Sequence, residues 1–154
     1  MRLALFQPAI PQNVGACIRL SACFGVELHV IEPTGFRFDD RAMKRAALDY
    51  GDHAQLTRHA SLGAFLAAPE RQGGRLVLVE TDGAVAFGDF SFSTGDTLIL
   101  GRESAGSPGE LYAAAQASVR IPMARGLRSL NVINAGAMVL TEAMRQTGAW
   151  EKLD

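Results

Sequence analysis

The chain has little cysteine, no long apolar run and almost no net charge, and each shortage removes a class of function. Its cysteines, Cys17 and Cys23, sit close together on one predicted helix and form neither a disulfide framework nor a CxxC redox or zinc motif. Both read as small core residues. His29, His53 and His59 lack metal-ligand spacing with one another or with the cysteines, so no metal is expected. No stretch approaches the ~20 apolar residues that span a bilayer. Proline and polar residues interrupt MRLALFQPAIPQN too early for a signal peptide, so a cytoplasmic protein without membrane contact is expected. A net charge of -1 excludes an overall basic footprint for nucleic acid. Neither GxGxxG nor GxxxxGK(S/T) occurs, which removes the common dinucleotide fingerprint and the P-loop.

What is present suits one globular domain, residues 1–154, with 48% hydrophobic and 20% charged residues. Apolar runs at 2–6, 27–32, 75–81, 96–101 and 118–123 alternate with helical patterns at 14–24, 40–49, 61–68, 108–115 and 131–147. That order predicts an α/β fold with a mostly parallel sheet and helices on both faces. Ligands of such sheets bind outside the carboxyl ends of the strands, so the loops after Thr81, Leu100 and Ile121 form the expected pocket rim.

Polar residues gather in three places. In Pro11–Arg19, Asn13 can cap a helix, Gly15 permits close approach of backbone or ligand, and Arg19 lies nearly two turns on. In Leu100–Glu110, Ser107 and Glu110 read as a capping box with Pro108 in the first turn. Gly101, Glu103 and Gly106 are left over, and suggest backbone packed against a ligand. In Ile121–Gln146, Ser129, Asn131 and Asn134 crowd the start of an apolar helix, where unpaired polar groups cost about 1 to 3 kcal/mol each. One cap suffices for one helix. Charge is uneven as well: Arg41, Lys44 and Arg45 share one helix face, which reads either as a solvated surface or as a phosphate contact.

Taken together, NxGxxxR, GxExxG after a buried strand, and IPM…SLN…NA before the last helix resemble the motifs of the SPOUT-class, TrmH-like RNA 2′-O-methyltransferases. The flanks PAIPQNVGACIRLSACFG, HVIEPTGFRFDDRAMKRAALDY and IPMARGLRSLNV are similar to a small branch of that family acting on the wobble nucleotide of tRNA, cytidine or uridine 34. The resemblance implies a homodimer that binds S-adenosylmethionine in a C-terminal trefoil knot, about residues 76–150. It places the cofactor against Val79, Glu80, Thr81, Gly101, Glu103, Gly106, Ile121, Met123, Ser129 and Leu130. Catalytic positions fall on Arg19, Glu103, Ser129 and Asn131, with Arg19 supplied across the dimer and oriented by Glu103. A guanidinium of pKa above ~12 keeps its proton, so Arg19 would stabilise the forming oxyanion or hold a phosphate. Asn13, Arg41, Lys44, Arg45, Arg125 and Arg128 are the expected RNA contacts. Ile133 and Ala105 depart from the commoner family pattern. Competing readings are 2′-O-methylation of ribosomal RNA or another tRNA position, and a non-catalytic RNA- or nucleotide-binding dimer.

Overall fold

The computed structural model describes every residue except Asp40, Gln72, Ser104, Ala105 and Asp154. Its strands are β1 (Arg2–Phe6), β2 (Glu27–Ile31), β3 (Leu56–His59), β4 (Leu76–Val79), β5 (Val85–Ala86), β6 (Thr97–Leu100) and β7 (Ala117–Arg120). They form one seven-stranded sheet in the order β3-β2-β1-β6-β4-β7-β5, paired in parallel throughout. The helices are α1 (Pro11–Phe24), α2 (Arg41–Ala47), α3 (Leu62–Ala67), α4 (Gly109–Ala114) and α5 (Val132–Thr147).

The period-two alternation of the central strands explains the layering. Leu3, Leu5, Val77, Val79, Leu98 and Leu100 point to one face, where Val14, Cys17 and Ile18 of α1, Met43 of α2 and Val139, Leu140 and Ala143 of α5 cover them. Ala4, Phe6, Leu76, Leu78 and Ile99 point to the other, under Phe65 of α3 and Leu111 of α4. Both sides of these strands are dry, which is why they read as continuous apolar runs.

Several boundaries differ from the sequence reading. Strands β3 and β5 were not expected, because LTRH carries two polar residues and Val85–Ala86 is only a pair. Helix α1 starts at Pro11, so Asn13 lies inside it and is not its cap. Helix α2 ends at Ala47, and the expected start at Asp40 lies outside the described residues. Cys17 is buried, its thiol pushed up to about 12 by desolvation, whereas Cys23 is exposed and is no core residue. Along α5, Gly136, Val139 and Ala143 are buried within the chain. Asn134, Met138, Thr141 and Arg145 form the exposed face of α5.

Gly15 serves backbone and not ligand. A Cβ there would collide with the Met43 carbonyl oxygen and lie 2.7 Å from Ala46 Cβ, so the bare glycine lets α1 and α2 touch. This contact fixes α2, whose Arg41, Lys44 and Arg45 remain exposed. Gly15→Ala should lower stability by about 1 to 3 kcal/mol through overpacking, seen as a reduced urea midpoint at unchanged slope.

Behind β2 and β3, His29 Nδ1 and His59 Nε2 meet at 2.9 Å, both rings buried against Phe65. Burial lowers both pKa values; His59 depresses His29 further, while Glu27 acts to raise His29 and Glu70 acts to raise both. The unfolded chain therefore binds more protons than the native one below the ordinary imidazole range. The pair's contribution is fully present above about pH 6.5 and is lost as pH falls toward the depressed values. Denaturation midpoints should drop between pH 7.5 and 5.5, and His59→Gln should flatten that slope.

Candidate active site

The chain leaves the carboxyl ends of β4, β6 and β7 through loops that close around a cavity of about 480 Å³. Val79, Glu80 and Thr81 enter its wall from the end of β4. Gly101, Glu103 and Gly106 enter from the loop after β6, Ile121 and Met123 from the loop after β7, and Ser129 and Leu130 from the segment before α5. Asn13, Arg128 and Asn131 share that wall. Arg19, Arg41, Lys44, Arg45 and Arg125 lie outside it. Ile10, Arg102, Val132 and Ala135 also line the cavity, and sequence reasoning missed them. Arg102 could have been suspected from its place between Gly101 and Glu103; its Nε is buried with no hydrogen-bond partner among the described residues.

Directed hydrogen bonds join the polar clusters. Glu103 accepts from the Ala9 amide at 2.9 Å, the Ile10 amide at 3.4 Å and Asn13 Nδ2 at 3.1 Å. Asn13 Oδ1 accepts from Asn131 Nδ2 at 3.0 Å. Asn131 Oδ1 then accepts from the amides of Ile133 and Asn134 at 2.9 and 3.3 Å, which makes Asn131 the N-cap of α5. Each amide side chain has one orientation available. The carboxylate only accepts, so Asn13 must present its NH2 to Glu103 and its oxygen to Asn131; the helix amides only donate, so Asn131 must present its oxygen to them.

This arrangement changes several expected roles. Glu103 holds the approach to α1 through the Ala9 and Ile10 amides, and the Arg19 of its own chain lies outside the cavity. Arg19 is exposed, its guanidinium 5.4 Å from the Tyr50 ring centroid. Of Ser129, Asn131 and Asn134, only Asn131 caps α5, and Asn134 lies inside its first turn. Ser107 does not cap α4, whose N-cap is Pro108 without a side-chain bond. The Ser107 hydroxyl instead donates to Glu80 Oε2 at 2.7 Å. Gly101 makes this possible, since a Cβ would overlap Ser107 Oγ and lie 2.9 Å from Glu80 Oε2. At the rim, the Tyr112 hydroxyl donates to Asp82 at 2.6 Å; burial and that bond raise its pKa, so it stays a protonated donor. Ile133 is buried under α5, and Ala105 lies outside the described residues.

Residues 1–141 match the SpoU rRNA Methylase family. The chain belongs to that family. Among its relatives is the tRNA (cytidine(34)-2'-O)-methyltransferase of Beijerinckia indica subsp. indica, 51% identical over 98% of this chain and 94% of that protein. A solved structure described as giving structural insights into the 2-OH methylation of C/U34 on tRNA superposes with a TM-score of 0.88 at 40% identity, covering 94% of each chain. The SpoU methyltransferase AviRb from Streptomyces viridochromogenes, solved in complex with AdoMet, gives a TM-score of 0.86 at 27% identity, over 95% of this chain and 60% of that one. The α/β fold with its parallel sheet thus matches that of SpoU methyltransferase structures.

The direction of the hydrogen-bond chain is testable. Asn13→Asp replaces the donor facing Glu103 by a second carboxylate oxygen, and should lower stability at pH 8 by about 1 to 3 kcal/mol. Acidification should recover part of that loss as the added carboxyl protonates. Asn13→Ala, which adds no charge, should show no such recovery in urea titrations at pH 8 and pH 5.

Proposed function

We propose that the chain transfers a methyl group from S-adenosylmethionine to the ribose 2′-hydroxyl of the wobble nucleotide, cytidine or uridine 34, of tRNA. The observation that carries this reading is the convergence of the NxG, GxExxG and SLN segments on one cavity, in a chain aligned nearly end to end with relatives named for that reaction. The cavity's about 480 Å³ lies within the ~300 to 1,000 Å³ of small-molecule sites. Its wall is mixed in character, with Val79, Ile121 and Leu130 apolar and Glu80, Arg102, Glu103 and Arg128 charged. That combination suits an adenosine bearing a zwitterionic tail.

Bound there, S-adenosylmethionine supplies an electrophilic methyl carbon. Val79, Ile121 and Leu130 would flank its adenine and exclude water, while Gly101 leaves the wall thin beside the Ser107–Glu80 pair. Ser129 supplies a hydroxyl to the polar end of the cavity. The Asn131 amide is already committed to Asn13 and to the α5 cap, so it positions the Ser129–Leu130 segment. Transfer would form the ribose O–CH3 bond as the S–CH3 bond breaks, releasing S-adenosylhomocysteine and passing the hydroxyl proton to water; that hydroxyl is a poor acid, and fixed alignment with an adjacent cation lowers its barrier. Arg19 fits that cation only if a second subunit delivers it, because its own chain holds it outside the cavity. A homodimer is therefore part of the proposal, supported by the exposed Leu127, Leu130 and Met138 near the cavity and along α5. A trefoil knot over about residues 76–150 and a cytoplasmic site of action belong to the same reading.

Methyl-labelled S-adenosylmethionine with tRNA lacking the modification should label ribose 34, as mapped by mass spectrometry of nuclease fragments. Label confined to ribosomal RNA, or absent from every tRNA, would overturn the substrate. Arg19→Ala should lower kcat by roughly 10² or more, with cofactor affinity within twofold by calorimetry. Mixing Arg19→Ala with Gly101→Leu chains should restore activity, since one intact composite site forms per mixed dimer. Failure to restore it would place Arg19 in cis.

A further inference from the structure

A second groove, of about 590 Å³, opens where the chain leaves β2 and passes β3, lined by Glu32, Phe36, Phe38 and Arg58 among others. It is built from the HVIEPTGFRFDDRAMKRAALDY flank together with Arg58, and none of the three polar clusters accounts for it. The Arg58 guanidinium lies 4.3 Å from the Phe38 ring centroid. Glu32 Oε1 holds that guanidinium through two donors, Nε at 2.8 Å and Nη2. Phe36 lies nearly parallel to Phe38, with ring centroids 6.4 Å apart at 20°. Both rings are half-buried against the core, and the Arg58 side chain is 49% exposed. The result is a flat, pre-positioned surface whose positive charge is locally balanced by Glu32. Such a surface offers a stacking face more than a charge.

We propose that this groove is a stacking subsite for an unpaired nucleobase of the RNA, next to the nucleotide whose ribose is methylated; the proposal rests on the RNA reading above. Unstacked bases are taken up on aromatic rings and arginine planes, and this grouping supplies both. Its place fits. The sheet is parallel, so the groove opens at the same edge as the methyl-transfer cavity, and β1 alone separates β2 from β6, a distance of about 10 Å. The two sites are also joined through the backbone: Gly35 N donates to Pro8 O at 2.9 Å, and the next residue, Ala9, donates to Glu103. Cations for the adjoining phosphates stand beside the groove in the exposed Arg41, Lys44 and Arg45, and in Arg37, which is 90% exposed and paired at 3.5 Å with Asp39. The stacked arrangement is not required to hold the loop. Thr34 Oγ1 to Phe36 O at 2.7 Å and the Gly35–Pro8 bond already fix it, and an ion pair as exposed as Glu32–Arg58 adds little to stability.

The test uses an anticodon stem-loop RNA carrying 2-aminopurine at nucleotide 33, 34 or 35. Binding to the wild-type protein should quench the probe at 33 or at 35, because stacking quenches its fluorescence. Phe38→Leu and Arg58→Lys should abolish that quench and raise KM for the stem-loop about tenfold, with kcat and the Kd for S-adenosylmethionine within twofold. Phe38→Tyr, which keeps a ring, should behave as wild type. Where a variant also loses S-adenosylmethionine, the contrast between Arg58→Lys and Phe38→Tyr decides. Retained quench and KM in Phe38→Leu and Arg58→Lys would overturn the proposal, as would a quench seen only at nucleotide 34. Methylation of the unlabelled stem-loop is followed in parallel: no methylation and no binding by the wild type overturns the RNA reading, whereas binding and methylation without a quench at 33 or 35 overturns the subsite alone.

Discussion

The structure depends on one directed chain of hydrogen bonds, from the α5 amides through Asn131 and Asn13 to the Glu103 carboxylate. Its ends dictate its polarity. A helix start offers donors only and a carboxylate offers acceptors only, so each intervening amide has one way round. Partners separated by 118 and 90 residues are thereby fixed against each other at the edge of the sheet. Glu103 closes the far end by accepting from the Ala9 and Ile10 amides just ahead of α1, a helix whose N-cap, Ile10, makes no side-chain bond. Removing any member leaves a donor or acceptor unpaired beside the cavity, which is why the arrangement acts as a unit.

Around that chain, the cavity is assembled by parallel strands that deliver their loops to one edge. The apolar walls come from residues at or just past strand ends, Val79 and Ile121, and the polar groups come from the loops between sheet and helix. Gly101 marks where backbone must come close, and the Ser107–Glu80 pair occupies the space a side chain there would take. The wall carries carboxylates and guanidiniums in near balance, as the net charge of -1 for the whole chain anticipates. Positive charge appears instead on the outer surface, on α2, where Gly15 presses that helix against α1.

Much of this was legible in the sequence, for physical reasons. Strands buried on both faces must be apolar throughout, so LVLV and TLIL announced themselves, whereas LTRH at the sheet edge and the two-residue β5 did not. Glycines and polar residues at strand ends marked the cavity correctly, because nothing in a packed core needs them there. What spacing could not settle was which polar side chain bonds which. Ser107 with Glu110 has capping-box spacing, yet the hydroxyl goes to Glu80, a partner 27 residues away that local pattern cannot reveal. The same holds for Asn13, which looks like a cap and is an internal link. Arg19 illustrates a different limit: its own chain leaves it exposed beside Tyr50 and outside the cavity, and only the proposed second subunit would bring it there. The Glu32–Arg58–Phe38 platform was invisible for a third reason: its members lie on separate strands and loops, and each alone reads as an ordinary charge or a core ring.

The span of the hydrogen-bond chain has a consequence for how the protein comes into being. Asn131 enters late in the sequence, after all seven strands. The segment that carries it supplies both the Ser129–Leu130 wall of the cavity and, through α5, the cover over one face of the central strands. The cavity is therefore completed by the last elements of the chain, and a chain cut before residue 129 lacks one of its walls altogether.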